Sequence, residues 1–369
     1  MCYMNFGFSK QRWDDTKRNY ETWWQKKSDK PMVIGSYQDY VKYSDHKGAS
    51  NLIYQSALYD DSVSIEYILE GCEYTLLCNK YFGDSYPVIW TVFSGPGAIA
   101  SYMGGTPVNN NGAIWFMPPK DRCTDISKID LTLDENNKHY EKMKGFLEAA
   151  VNRFSNNALV AMPDIGGNLD ILSAFLKAEE LLIGLYDDPD DVKRLTWQAH
   201  EAWHKCFGNF NNILTTPQLG YSNWSMLLSQ KAFYMLQCDF AYMIGPDTFN
   251  EFVRPELEES AKKINRTIYH LDGTGQLRHL ESILEIKELS GVQWVPGESL
   301  APVCEWPDVI KKVIEADKLF YYSGDIDGVE KIHQTIGHLD RMYVYLTDQI
   351  TDDNVNDILR RLDKMGISF

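Results

Sequence analysis

The sequence is poor in positive charge: 36 Lys and Arg stand against 52 Asp and Glu in 369 residues, a formal net charge of −16. No Lys/Arg block is long enough to track a phosphate backbone, so nucleic acid is not an expected partner. Also missing is any run approaching the ~20 apolar residues of a membrane helix, and the opening MCYMNFGFSKQRWDD lacks the charged-then-apolar order of a secretory leader. No membrane contact and a cytoplasmic location are the expectation. There is no CxxC pair among the seven cysteines at 2, 72, 78, 123, 206, 238 and 304, which suits reduced thiols in a reducing compartment, most of them small buried hydrophobes. No GxGxxG follows any strand-like run, so a dinucleotide site has no support.

What is present is alternation. After a polar leader over residues 10–30, read as an amphipathic helix with Trp13, Trp23 and Trp24, strand-length apolar runs alternate with helical patterns. The runs are 32–37, 87–93, 113–117, 158–162, 225–229, 267–271, 291–295, 318–322 and 342–346. Most are continuously apolar, as fully buried parallel strands are. Helix starts are marked at Asp188-Pro189, Gly245-Pro246-Asp247, Trp306-Pro307 and Asp352-Asp353. This organisation predicts an α/β protein, a (β/α)8 barrel in a single domain over residues 1–369. Residues 70–125, rich in Gly, Pro and Asn, predict an irregular excursion beside it.

One familiar motif occurs. 200-HEAWH-204 fits HExxH, which on a helix sets two imidazoles on one face, as zinc proteases require. No third histidine follows at the required distance, and the helix belongs to the outer layer of the array. The expectation is a solvated helix face.

Three stretches carry a family resemblance. They are 163-PDIGGNLDILSAFLKAEELLIGLYDDPDDVKRL-195, 236-LQCDFAYMIGPDTFNEFVRPELEESAKKI-264, and 267-TIYHLDGTG-275 with the strand that follows it to Gly297 and Glu298. Together they resemble uroporphyrinogen decarboxylase and its corrinoid-linked methyltransferase relatives, in order over about residues 30–365. The resemblance implies a (β/α)8 barrel with its site at the C-terminal mouth of the strands. Yet 34-IGSYQDYVKYS-44 has no arginine where the true decarboxylases resemble one another in carrying several. A multiply anionic tetrapyrrole would there leave buried carboxylates unpaired, at a cost of several kcal/mol. Asp272 stands where the zinc-dependent branch has a cysteine, and Asp348 is the nearest ligand-type residue to the place of its second.

The reading of the mouth follows. His270 and Asp272, two apart on a strand, face the same side. With Glu298 or Asp348 they are the expected ligands of a divalent metal, zinc first and manganese or iron next. Asp164, Asp272 and Glu298 are the expected catalytic carboxylates. Tyr37, Trp90, Trp115, Trp224, Gln293, Trp294 and Asp325 are the expected substrate-binding residues, the tryptophans matching a flat, apolar-faced ligand such as a methoxylated aromatic, a corrinoid edge or a sugar ring. The function expected is metal-assisted methyl transfer between a corrinoid and a small molecule, with a corrinoid protein as partner and a homodimer by analogy. A decarboxylase or lyase acting through Asp164 or Asp272 is the alternative, ahead of a glycoside-processing enzyme or a ligand-binding barrel.

Overall fold

The computed structural model describes residues 6–51, 55–111, 113–154, 156–215 and 219–369; Cys2 lies outside them. Six strands form one parallel sheet: β1 (Met32–Tyr37), β6 (Phe233–Gln237), β7 (Arg266–Asp272), β8 (Gly291–Val295), β9 (Leu319–Gly324) and β10 (Met342–Ile350). Their order is β1-β10-β9-β8-β7-β6. Two short strands, β2 (Val88–Ile89) and β5 (Leu159–Val160), pair in parallel as a second sheet. Among the described residues no ladder joins β2 to β1 or β5 to β6, so the hydrogen bonding draws a curled sheet with a detached pair rather than a closed eight-strand barrel.

Side-chain alternation sorts the strands into two cores. Met32, Ile34, Leu159, Ala161, Phe233, Met235, Ile268, Leu319, Tyr321 and Tyr343 share an inner cluster. Val33, Val160, Tyr234, Leu236, Tyr269, Leu271, Val292, Trp294, Phe320 and Val344 join the outer cluster with the helices. Period two is what a pleated strand imposes, and burial on both faces explains the continuously apolar runs. The inner cluster takes residues from both sheets, so packing unites what the ladders leave apart.

The leader is a helix, Lys10–Trp24, capped by the Ser9 hydroxyl. It drives Trp13, Tyr20, Trp23 and Trp24 into the inner cluster. Glu21 receives Arg266, the first residue of β7, through two nitrogens at 2.6 and 2.9 Å. That bidentate pair fixes the helix across the N-terminal end of the strands, and the polar inward residues gather at the opposite end.

Two expected strands differ. The run 225–229 is no strand: the Asn223 side chain accepts from Ser225 N at 2.9 Å and Met226 sits at φ 60°, so an Asx-type turn captures the backbone. Leu227 and Leu228 are still buried in the inner cluster, which is why the run is apolar. The strand at this point in the chain is β6, which begins at Phe233. The run 113–117 pairs antiparallel with Thr106–Asn110 as the hairpin β3–β4, and this is the expected excursion. Helix starts agree at Pro189, Pro246 and Pro307, and the helical stretch opened at Pro246 is two helices, Pro246–Phe252 and Arg254–Lys263, broken ahead of Pro255. Among the described residues no helix is long and apolar enough to cross a membrane.

Candidate functional site

Apart from Arg266 at the start of β7, the inward residues early in the strands are apolar; late in the strands they turn polar. Gln237 ends β6, His270 and Asp272 end β7, and Gln293 on β8 pairs in register with His270. The His270 Nδ1 lies 2.5 Å from the Gln293 Oε1. An amide oxygen only accepts, so in the neutral ring the proton sits on Nδ1 and the lone pair on Nε2. That Nε2 is 4.0 Å from an Asp272 oxygen. Asp239, at the head of the turn after β6, completes the group: one ligand-type atom each of Asp239, His270 and Asp272 lies within 4.8 Å of the others.

Two further carboxylates sit behind this group. Asp170 accepts the backbone N–H groups of Asp239 and Phe240, both at 2.8 Å, and so ties down the turn that presents Asp239. Asp164 accepts from Gly166 N at 2.8 Å and from Gln237 Nε2 at 3.4 Å. Each is half-buried, and the surrounding protein displaces enough water to penalise charge. Burial pushes the Asp164 carboxyl up to about 6, against the pull of its backbone donors. Asp170 is raised well above the carboxylate range, by burial first and by the charge of Asp239 next. Asp239 is raised by burial and Asp272, with His270 pulling the other way.

Trp224 stands edge-on to the His270 ring at 5.3 Å, and its buried indole Nε1 has no hydrogen-bond partner among the described residues. Gly273, at φ 82°, and Gly275 make room for the ring of Tyr242: a Cβ on either would come within 2.8 Å of it. Tyr37 and Trp90 line a cavity of about 310 Å³ between β1 and β2, with Tyr86, Tyr345 and Met226. Met226 and Trp224 belong to one turn, so a single short segment separates the cavity from His270.

The remaining expected site residues stand elsewhere. Trp294 is fully buried in the outer core against Trp306, ring centres 5.6 Å apart; Gln293 faces inward, and the pleat turns its neighbour outward. Trp115 is 61% exposed on the hairpin. Asp325 caps the helix Ile326–Ile336 through Gly328 N at 2.8 Å. Asp348 accepts from Ile326 N at the same distance, so both serve one helix start. Glu298 is exposed in the loop after β8 and is not among the grouped ligands. Asp239, Asp170 and Gln237 were not among the expected site residues. Asp239 lies inside the quoted 236-LQCDFAYM-243, and its signal is an acidic residue directly after a six-residue buried run, 233–238.

The HExxH helix is not a solvated face. His200 is 3% exposed and His204 is half-buried, while Glu201 lies on the exposed side. His200 Nδ1 meets Glu256 Oε1 at 2.8 Å and His204 Nε2 meets Ser260 Oγ at 3.1 Å. Both partners come from the helix Arg254–Lys263, which packs over this face.

No family model matches the chain, and no curated protein does. Among solved structures the chain is similar to a methyltransferase from Methanosarcina mazei, with a TM-score of 0.61 and 12% identity over 95% of this chain and 99% of that one. At this identity the likeness is one of fold: this chain and that methyltransferase share an α/β architecture end to end.

Proposed function

We propose that the chain is a single-domain methyltransferase whose two sheets complete an eight-strand barrel, with its reaction centre at the carboxyl end of β6, β7 and β8. The observation that carries the reading is the convergence of Asp239, His270 and Asp272 beside the His270–Gln293 bond. One imidazole and two carboxylates are a hard donor set that suits a zinc, manganese or iron(II) ion, and the crowding of acidic groups fits a site built around a cation. Such an ion, when bound, lowers the pKa of an acceptor group so that it attacks a methyl carbon.

The chain's own residues do the rest. Gln293 holds the His270 tautomer, and Asp170 holds the turn that presents Asp239. Asp164, with its carboxyl near 6, is largely ionised at neutral pH and receives the proton that the acceptor gives up. The methyl group moves without the bonding electrons, which stay on its carrier. A corrinoid is the carrier we favour, from the resemblance of the three quoted stretches. The nearby cavity, lined by Tyr37, Tyr86, Trp90 and Tyr345, would admit a small, flat, weakly charged partner.

The test pairs metal with activity. Protein purified without chelator should carry a divalent transition metal and should pass the methyl group of methylcobalamin to a thiol, phenol or amine from a panel of acceptors, releasing cob(I)alamin; His270→Ala should abolish the transfer and lower the metal content. Metal below about 0.2 equivalents that does not rise with added Zn²⁺ or Mn²⁺ would sink the proposal. Asp164, raised to about 6, also fits the second reading, a decarboxylase using it as proton donor; release of CO₂ from a carboxylic acid by metal-free protein would favour that reading.

A further inference from the structure

The second convergence of ligand-type atoms lies far from the strand ends, on the helix layer. His200 and His204, one turn apart on Pro189–Leu214, meet Glu256 of Arg254–Lys263, with one ligand-type atom of each within 4.8 Å of the others. The two imidazoles stand 4.3 Å apart, centre to centre, the neighbourhood that an i, i+4 pair reaches on one face of a helix. Both supporting features of a built site are present. The Glu256 carboxylate is held at Oε2 by Asn168 Nδ2 at 2.5 Å, and its Oε1, the oxygen that meets His200, also accepts the Ser260 hydroxyl at 2.8 Å, as ligating carboxylates usually are. A cation is already drawn to the cluster: the Lys263 ammonium lies 2.9 Å from His200 Nε2, although that side chain is 45% exposed and free to swing out.

We propose that His200, His204 and Glu256 form a structural site for a zinc-class divalent cation that clamps Pro189–Leu214 to Arg254–Lys263, with the Lys263 ammonium as its competitor. Two imidazoles and a carboxylate are a recurrent zinc set, with a fourth position left to water. A water-sized cavity of about 20 Å³, lined by Thr196, Trp197 and Glu256, adjoins the cluster. Glu201, the glutamate within the motif, lies on the exposed side, so the arrangement lacks the general base of a zinc protease. The role is to cross-link two helices, not to hydrolyse.

The experiment uses full-length His270→Ala, in which the strand-end group has lost its imidazole, so the outcome bears on the helix site alone. Metal-freed protein is titrated with Zn²⁺, and with Co²⁺ as a visible-absorbance probe, while unfolding is followed by temperature. We expect one equivalent bound, imidazole-type Co²⁺ absorbance, and a midpoint raised by a few degrees; adding His204→Ala should remove all three. Lys263→Ala, an exposed change that the fold tolerates, should tighten Zn²⁺ about tenfold by removing the competing charge. No uptake in His270→Ala overturns the proposal, as does uptake indifferent to His204→Ala. If the His204 variant does not fold, an unchanged affinity in Lys263→Ala decides against it.

Discussion

His270 on β7 and Gln293 on β8 stand opposite each other in register, and the 2.5 Å contact between Nδ1 and Oε1 turns the free Nε2 toward Asp272 and Asp239. The neighbouring strand thus chooses the tautomer of a side chain that the sequence of β7 alone leaves undetermined. Replacing Gln293 by Leu removes the acceptor but little volume. Metal affinity at the strand-end group should fall about 10- to 100-fold, while Gln293→Glu, which keeps an acceptor, should retain it. Zn²⁺ titration of the two variants checks this.

Asp170 is not one of the three grouped ligand-type residues, yet its two bonds to Asp239 N and Phe240 N hold the turn in place. Asp170→Ala leaves two donors without their acceptor, which should cost on the order of 1–3 kcal/mol. It should also loosen Asp239 and weaken metal binding about tenfold. Denaturant unfolding and metal titration on one preparation would separate this from simple destabilisation: a stability loss with unchanged affinity would rule out a positioning role.

Asp84 gives a pH signature away from the site. It is 4% exposed and accepts Val33 N at 3.0 Å, and burial outweighs that bond, lifting its carboxyl from 3.8 to about 6. For an acid raised in the folded state, the proton favours folding. The penalty is therefore absent below about pH 4, grows between 4 and 6, and is complete above 6. At 1.36 kcal/mol per unit this is on the order of 2–3 kcal/mol. Asp84→Asn keeps the acceptor and drops the charge, so its stability relative to wild type should rise by about that amount from pH 4 to pH 7 in urea titrations.

Trp294 and Trp224 form a contrasting pair. Trp294→Ala empties a fully buried site in the outer core and should cost about 3–5 kcal/mol with metal affinity unchanged. Trp224→Ala removes the ring that flanks His270 and should disturb metal binding with a smaller stability loss. Thermal melts and Zn²⁺ titrations on both variants check this contrast; equal effects on metal binding would contradict the inward and outward assignment of the two rings.

Much of the framework was legible in the chain. The strands at 32, 267, 291, 318 and 342 announce themselves as apolar runs, and the proline-marked helix starts at 189 and 307 stand where expected. Gln293 and Trp294 show what a stricter use of the pleat provides: adjacent residues cannot both face the mouth, so expecting both there contradicts the alternation that groups His270 with Asp272. The run 225–229 could not be told from a strand by composition, because Leu227 and Leu228 are buried as deeply as strand residues. What diverts it is a side-chain bond from Asn223, a local competitor of the ladder.

By itself the sequence determined the α/β class, the acidic surface, the leader helix and the same-side placement of His270 and Asp272, since periodicity and charge are properties of the chain. Only the tertiary structure decided which third ligand-type residue joins them. Asp239 lies more than thirty residues away in sequence, and only the pairing of β6 with β7 sets it beside His270, while Glu298 and Asp348, equally plausible by spacing, are carried elsewhere. The same holds for His200 and His204: helical spacing made them neighbours, and the helix Arg254–Lys263 packing across them turned an expected solvated face into a buried, charged cluster. Ligand sets are long-range contacts, fixed by which strands and helices lie side by side rather than by any local pattern.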